Sequence, residues 1–193
     1  MSTVFIDIDT QLDFVYPAGA LYVPKAERII PTIARLNRFA ASSGILLVST
    51  TDAHTEDDPE FKTWPPHCVT GTWGQRKPEA TLLANRVIVP NRPGLHGLAG
   101  AQQVIIEKQT VEVFQAPHFL RILDELRVDR CVVYGVVTEI CVLHAVRGLL
   151  RTGRKVTVVS DAIETLHAEH SERALAEMCS GGAVLHEASY VVG

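Results

Sequence analysis

The chain has 193 residues, 47% of them hydrophobic, and a formal net charge of −4. That length suits one domain, residues 1–193, with a core of ordinary size. The charge and the lack of any Lys/Arg-rich tract exclude an electrostatic nucleic-acid binder, and no apolar run reaches the roughly 20 residues of a membrane span. Four cysteines (Cys68, Cys131, Cys141 and Cys179) form no CxxC pair, which fits reduced thiols. The start, Met1-Ser2-Thr3-Val4-Phe5-Ile6-Asp7, shows neither a basic n-region nor a cleavage site. Together these features predict a cytoplasmic protein.

Short runs rich in Val and Ile predict strands at 3–8, 45–51, 86–90, 103–107, 130–136, 155–160 and 183–187. Continuous apolar runs of this kind suit strands covered on both faces. Helical spacing predicts helices at 25–42, 117–127, 139–153 and 168–179. The first of these carries Ile29, Ile30, Ile33, Leu36 and Phe39 on one stripe, with Gly44 after its end. Alternation of the two predicts an α/β fold: a three-layer α/β/α sandwich around a mostly parallel, Rossmann-like sheet. Residues 52–85 form a long irregular region with Pro59, Pro65, Pro66 and Pro78. A loop of that length in a compact domain is functional or disordered, and its two tryptophans favour function.

Ligands of such sheets bind beyond the carboxyl ends of the strands, and the chemical candidates lie there. Asp9 follows the first strand, where a carboxylate can take a proton from a nucleophile and return it to a leaving group. Asp7 sits inside the apolar strand. By the two-residue period it shares a face with Asp9, and its burial predicts a hydrogen-bond partner or a raised pKa. Lys108 follows Val104-Ile105-Ile106-Glu107 and would stabilise nearby anions. Cys141 follows the strand Val132-Val133-Tyr134. With Thr138 as N-cap it falls in a first helical turn, where the helix dipole and free N–H groups favour a thiolate nucleophile.

A metal site is the third constellation. Asp52 and His54 end the second strand on one side, and the irregular region adds Glu60 and His67 from Trp64-Pro65-Pro66-His67-Cys68. Carboxylate and imidazole ligands suit Zn²⁺, Fe²⁺ or Mn²⁺. Cys68 is read as packing, because adjacent side chains seldom reach one ion. His144 is read as a helix-surface residue. His96, His118, His167, His170 and His186 have no convergent neighbours.

Three separated motifs resemble the isochorismatase-like cysteine hydrolases, and within them the nicotinamidase/pyrazinamidase group. They are Asp9-Thr10-Gln11-Leu12-Asp13-Phe14, the lysine Lys108 after the central strand, and Gly135-Val136-Val137-Thr138-Glu139-Ile140-Cys141-Val142. Trp64-Pro65-Pro66-His67-Cys68-Val69 is similar to the metal-binding subgroup. The resemblance implies a catalytic set of Asp9, Lys108 and Cys141, with an oxyanion hole from the backbone of Val137 and Cys141. It implies a cis peptide at Val136–Val137 and metal ligands Asp52, His54, Glu60 and His67. It also implies one divalent metal, most simply zinc, and a ring flanked by Phe14 and Trp64. The implied reaction is hydrolysis of nicotinamide to nicotinate and ammonia through a cysteine thioester, in NAD salvage, with pyrazinamide as a second substrate and a homo-oligomer as an allowed assembly. Asp7, Val137 and Ile140 depart from the group's usual residues. Three other readings remain: an amidase for ureido or carbamoyl substrates, a haloacid-dehalogenase-like phosphohydrolase using Asp7 of Asp7-Ile8-Asp9, and a non-catalytic binding protein.

Overall fold

The structure, a computed structural model, describes residues 2–94, 97–98 and 100–193. His96 lies outside the described residues. Among the described residues seven strands form one sheet: β1 Ser2–Ile8, β2 Leu46–Asp52, β3 Arg86–Val89, β4 Gln103–Lys108, β5 Val128–Gly135, β6 Lys155–Ile163 and β7 Val184–His186. Their order is β3-β4-β2-β1-β5-β6-β7, and every pairing is parallel. Each predicted strand corresponds to one of these, with no end moved by more than three residues.

The helices are α1 Leu12–Val15, α2 Ile30–Ser42, α3 Phe119–Glu125, α4 Leu143–Arg151, α5 Ala168–Ser180 and α6 Ala188–Val192. In α2 the residues Ile30, Ile33, Leu36 and Ala40 recur at helical spacing and are buried. Its predicted first turn is a 3₁₀ turn, Ala26–Ile29. Two separate cores result. Val4, Ile6 and Ile8 of β1 pack with α3, α4 and α5, while Phe5 packs with α2 and the Ala188 end of α6. The alternation of one strand between two cores defines the three layers.

The chain runs from β1 outward through β2 and β4, then returns to lay β5 on the other side of β1. That reversal opens a crevice at the carboxyl ends of β1 and β5, the expected ligand position in such a sheet. Gly135 closes β5 at φ +123°. A Cβ there would collide with the backbone of Ile8, so β1 and β5 end in direct backbone contact.

Asp7 is wholly buried and does not share a face with Asp9. It accepts from Ser49 at 3.4 Å, whereas Asp9 accepts from Thr50 at 2.6 Å. Ser49 and Thr50 are consecutive in β2 and point to opposite faces. The left-handed backbone of Asp9, φ +48°, ends the alternation. The partner expected for Asp7 is Lys77, whose ammonium lies 3.1 Å away with 2% of its side chain exposed. Thr10 donates to the other Asp7 oxygen at 2.7 Å. This ion pair pins residues 52–85 to the sheet from 70 positions away in sequence.

A buried charge stripped of its partner is costly. Lys77→Met should therefore lower unfolding stability by about 3–5 kcal/mol in urea titration. Adding Asp7→Asn should restore most of that loss, and a double variant as unstable as the single one would contradict the ion-pair account.

Candidate active site

Four neighbouring strands, in the order β4-β2-β1-β5, each deliver one group to the carboxyl edge of the sheet. They are Lys108, Asp52, Asp9 and, just past β5, Cys141. Lys108 and Asp52 face each other in register. The Lys108 ammonium is 2.9 Å from Asp9 Oδ2 and makes a short contact with Asp52 Oδ1. Burial works against its charge, but Asp52 and Asp9 outweigh it and hold its pKa well above the ordinary lysine value. Asp52 is pushed up, by burial first and by Asp9 as well, while Lys108 opposes the shift. Thr50 fixes Asp9 by donating to Oδ1 and accepting from the Asp9 N–H at 3.1 Å.

Cys141 lies in a π-helical turn, Thr138–Val142, that leads into α4. The turn differs from the expected one. Val137 is its N-cap, and the Thr138 hydroxyl donates to the Glu164 carbonyl at 2.8 Å instead of capping. The surroundings of the Cys141 sulfur oppose the thiolate that the helical turn was expected to favour. Burial pushes the Cys141 thiol up, Asp9 and Asp52 push it further, and Lys108 is outweighed. The Val136–Val137 peptide is cis. Val136 donates to Ile8 and Thr138 to Glu164, so the N–H groups on both sides of Val137 are engaged.

Asp52, His54 and His67 offer ligand atoms within 4.8 Å of one another, all three residues being buried. Glu60 is outside this tight group but lines the same cavity. Its carboxyl is pushed up by burial and by Asp52. His67 directs Nδ1 at the Pro65 carbonyl, 2.8 Å away, and burial lowers its pKa, which favours the neutral ring a metal needs. His54 Nε2 is buried without a hydrogen-bond partner. A buried lone pair without a partner, beside a carboxylate and a second neutral imidazole, is the donor set of a divalent transition metal. The residues fit such an ion. Cys68 is buried, with its sulfur toward the Gly74 carbonyl, and stands outside the ligand group.

Several residues that shape the site went unassigned in the sequence reading. Gln11 accepts from the Asp52 N–H at 2.6 Å and donates to the Asp52 and Gln75 carbonyls, each at 2.9 Å. Asp13 accepts from the Cys68 N–H at 2.6 Å and holds that residue at φ +46° beside His67. Gly74 packs so closely that a Cβ would strike the Asp13 carboxylate. Phe61 sets its ring against His54 and His67, with centroids 5.3 and 5.7 Å away. Gln11 and Asp13 stood in the first motif, so a signal for them existed; Phe61 had none.

The cavity measures about 380 Å³ with its open mouth included. Phe14, Trp64, Leu21, Val137, Ile140 and Leu166 form apolar walls around Asp52, Glu60, His67 and Cys141. Asp7, bound on both oxygens in the core, does not line it, and the phosphohydrolase reading falls with that. His144 lies 3.3 Å from Glu112 instead, and His118 faces the Arg92 carbonyl.

A buried cysteine beside a carboxylate and an ammonium, opposite a metal-ligand group in one apolar cavity, defines a class of cysteine hydrolase. The Isochorismatase domain model matches residues 3–189, and the chain belongs to that family. It is an enzyme of the amidohydrolase class. It is 24% identical to the nicotinamidase of Escherichia coli over 93% of this chain and 92% of that one. It is 25% identical to the N-carbamoylsarcosine amidase of Arthrobacter sp over 82% of this chain and 58% of that one. The structure of a pyrazinamidase of Pyrococcus horikoshii in complex with zinc superposes with a TM-score of 0.81 at 30% identity, covering 97% and 99% of the two chains.

The four thiols should label in an order set by burial. Cys179 is exposed, Cys141 opens on the cavity, and burial pushes Cys131 up to about 12 and Cys68 higher still. Timed iodoacetamide labelling of native protein, read by peptide mass spectrometry, should give Cys179 first, Cys141 next, and Cys68 and Cys131 only after unfolding. Native labelling of Cys68 as fast as Cys179 would contradict this packing.

Proposed function

We propose that the enzyme hydrolyses nicotinamide to nicotinate and ammonia, with pyrazinamide as a second substrate, as a cytoplasmic step of NAD salvage. The carrying observation is the cavity itself. It is small, walled by apolar side chains that include two aromatic rings, and has Cys141 and the Asp52–His54–His67 group lining it or beside it. Among the described residues no Lys or Arg lines it. That argues against the carbamoyl reading, because the carboxylate of an N-carbamoyl amino acid would find no cationic side chain in the lining. Nicotinamidases among the relatives support the same substrate. Among the described residues no helix is long and apolar enough to cross a membrane. A homo-oligomer remains an expectation from the resemblance.

In this reading the Asp9 carboxylate removes the Cys141 proton as sulfur attacks the amide carbon. Lys108 compensates the Asp9 carboxylate before the transfer and the negative charge developing on sulfur during it. The N–H groups of Val137 and Cys141 receive the oxyanion, each such donor contributing about 3 kcal/mol in a water-poor site. Asp9 then protonates the departing ammonia, and water cleaves the thioester with Asp9 as base. Phe14 and Trp64 flank the ring. Asp52, His54 and His67, with Glu60 directly or through water, would hold a divalent transition metal, most simply Zn²⁺ with Fe²⁺ or Mn²⁺ as alternatives. Bound there, the ion supplies a Lewis acid for the pyridine nitrogen and orients the substrate.

Ammonia release from nicotinamide by metal-replete enzyme tests the proposal. Cys141→Ala should lose turnover by several orders of magnitude while keeping its metal content. Chelation should raise KM far more than it lowers kcat. Activity retained in Cys141→Ala would exclude the thioester route, and faster turnover of N-carbamoylsarcosine than of nicotinamide would transfer the proposal to the carbamoyl substrates.

A further inference from the structure

The acidic run Glu56-Asp57-Asp58 follows His54 in the metal loop. Glu56 and Asp57 are exposed, as carboxylates ordinarily are, but Asp58 is buried. Burying a carboxylate is unfavourable unless both oxygens find partners. Asp58 Oδ2 lies 3.0 Å from His54 Nδ1, with 7% of the Asp58 side chain and none of His54 exposed. Asp58 Oδ1 accepts the Glu60 N–H at 2.9 Å and so caps the 3₁₀ turn Pro59–Lys62. Capping alone does not explain the burial, since a cap needs one oxygen and works at the surface.

A proton held on Nδ1 by Asp58 leaves the lone pair on Nε2. Both ring nitrogens of His54 are buried without a hydrogen bond of good geometry, but Nδ1 has the Asp58 carboxylate 3.0 Å away, whereas no polar partner faces Nε2, and His54 is one of the Asp52–His54–His67 group. The two imidazoles are therefore backed differently. His67 has the neutral Pro65 carbonyl behind its Nδ1, and His54 has a carboxylate. A charged partner makes the ligating nitrogen a stronger donor and fixes the ring plane.

We propose that Asp58 is the positioning residue of the metal centre, locking the His54 ring with Nε2 inward through one oxygen and setting the turn that presents Glu60 through the other. The inference rests on reading Asp52, His54 and His67 as the metal-holding group, and it does not depend on which amide is the substrate.

The test is zinc binding in the absence of substrate. Chelator-stripped wild type, Asp58→Asn, Asp58→Ser and Asp57→Asn are titrated with Zn²⁺ against a chromophoric chelator, and zinc release is timed. Asp58→Ser keeps the cap on Glu60 but is too short to reach His54; Asp58→Asn is nearly isosteric and removes only the charge. Both should bind zinc about 10- to 100-fold more weakly and release it faster. Asp57→Asn, the same loss of charge one residue away, should match wild type. Thermal unfolding of the zinc-free proteins checks folding, and Asp58→Asn decides the question should Asp58→Ser fail to fold. Wild-type zinc affinity in folded Asp58→Asn or Asp58→Ser overturns the proposal while leaving the metal site in place. A wild type that takes up no zinc removes the metal reading and this proposal with it. Failure of wild type to hydrolyse nicotinamide affects neither result.

Discussion

Lys108 is a fully buried cation whose ammonium touches two carboxylates from two different strands. Burial alone works against its charge, and Asp9 and Asp52 beside it hold that charge in place. The two carboxylates need it equally, since without it two negative charges would share one buried edge. One ammonium against two carboxylates leaves a surplus of one negative charge. On the proposed reading Asp9 takes a proton from Cys141 and Asp52 shares a bound cation, so Lys108 would join the reacting part of the site to the part that holds the metal.

The loop that completes the site owes its order to polar anchors more than to regular structure. Gln11 substitutes for a strand neighbour by bonding both the N–H and the carbonyl of Asp52. Asp13 takes the N–H of Cys68, and Asp7 takes Lys77 in the core. Each anchor comes from the segment immediately after or within β1, the strand that also carries Asp9. Asp9 and the loop that carries His54 and His67 are therefore positioned by residues of one short segment.

Much of this was legible in the chain. Parallel strands covered on both faces read as unbroken Val/Ile runs, so β1, β4 and β5 could be placed and Asp9, Lys108 and Cys141 found at their ends. The motif around His67 likewise pointed to the ligand group. What escaped were relations between residues far apart. Nothing local to Asp7 names Lys77, and nothing local to His54 says that Asp58, four residues on, turns inward while Asp57 turns out. The shared face assigned to Asp7 and Asp9 failed because strand periodicity holds only while the backbone stays extended, and Asp9 leaves it. The helix dipole expected to favour a Cys141 thiolate is met by burial and by Asp9 and Asp52, all of which push the thiol up, and none of these is local to Cys141 in the sequence.

The account stands on covalent attack by Cys141 in a cavity that holds a pyridine ring. Rapid acid quenching of enzyme mixed with excess nicotinamide, followed by peptide mass spectrometry, tests this most directly. The account predicts a nicotinoyl thioester on the peptide carrying Cys141, absent in Cys141→Ala and lost on brief treatment with hydroxylamine. Steady release of nicotinate with Cys141 unmodified at every quench time, and undiminished in Cys141→Ala, would contradict it.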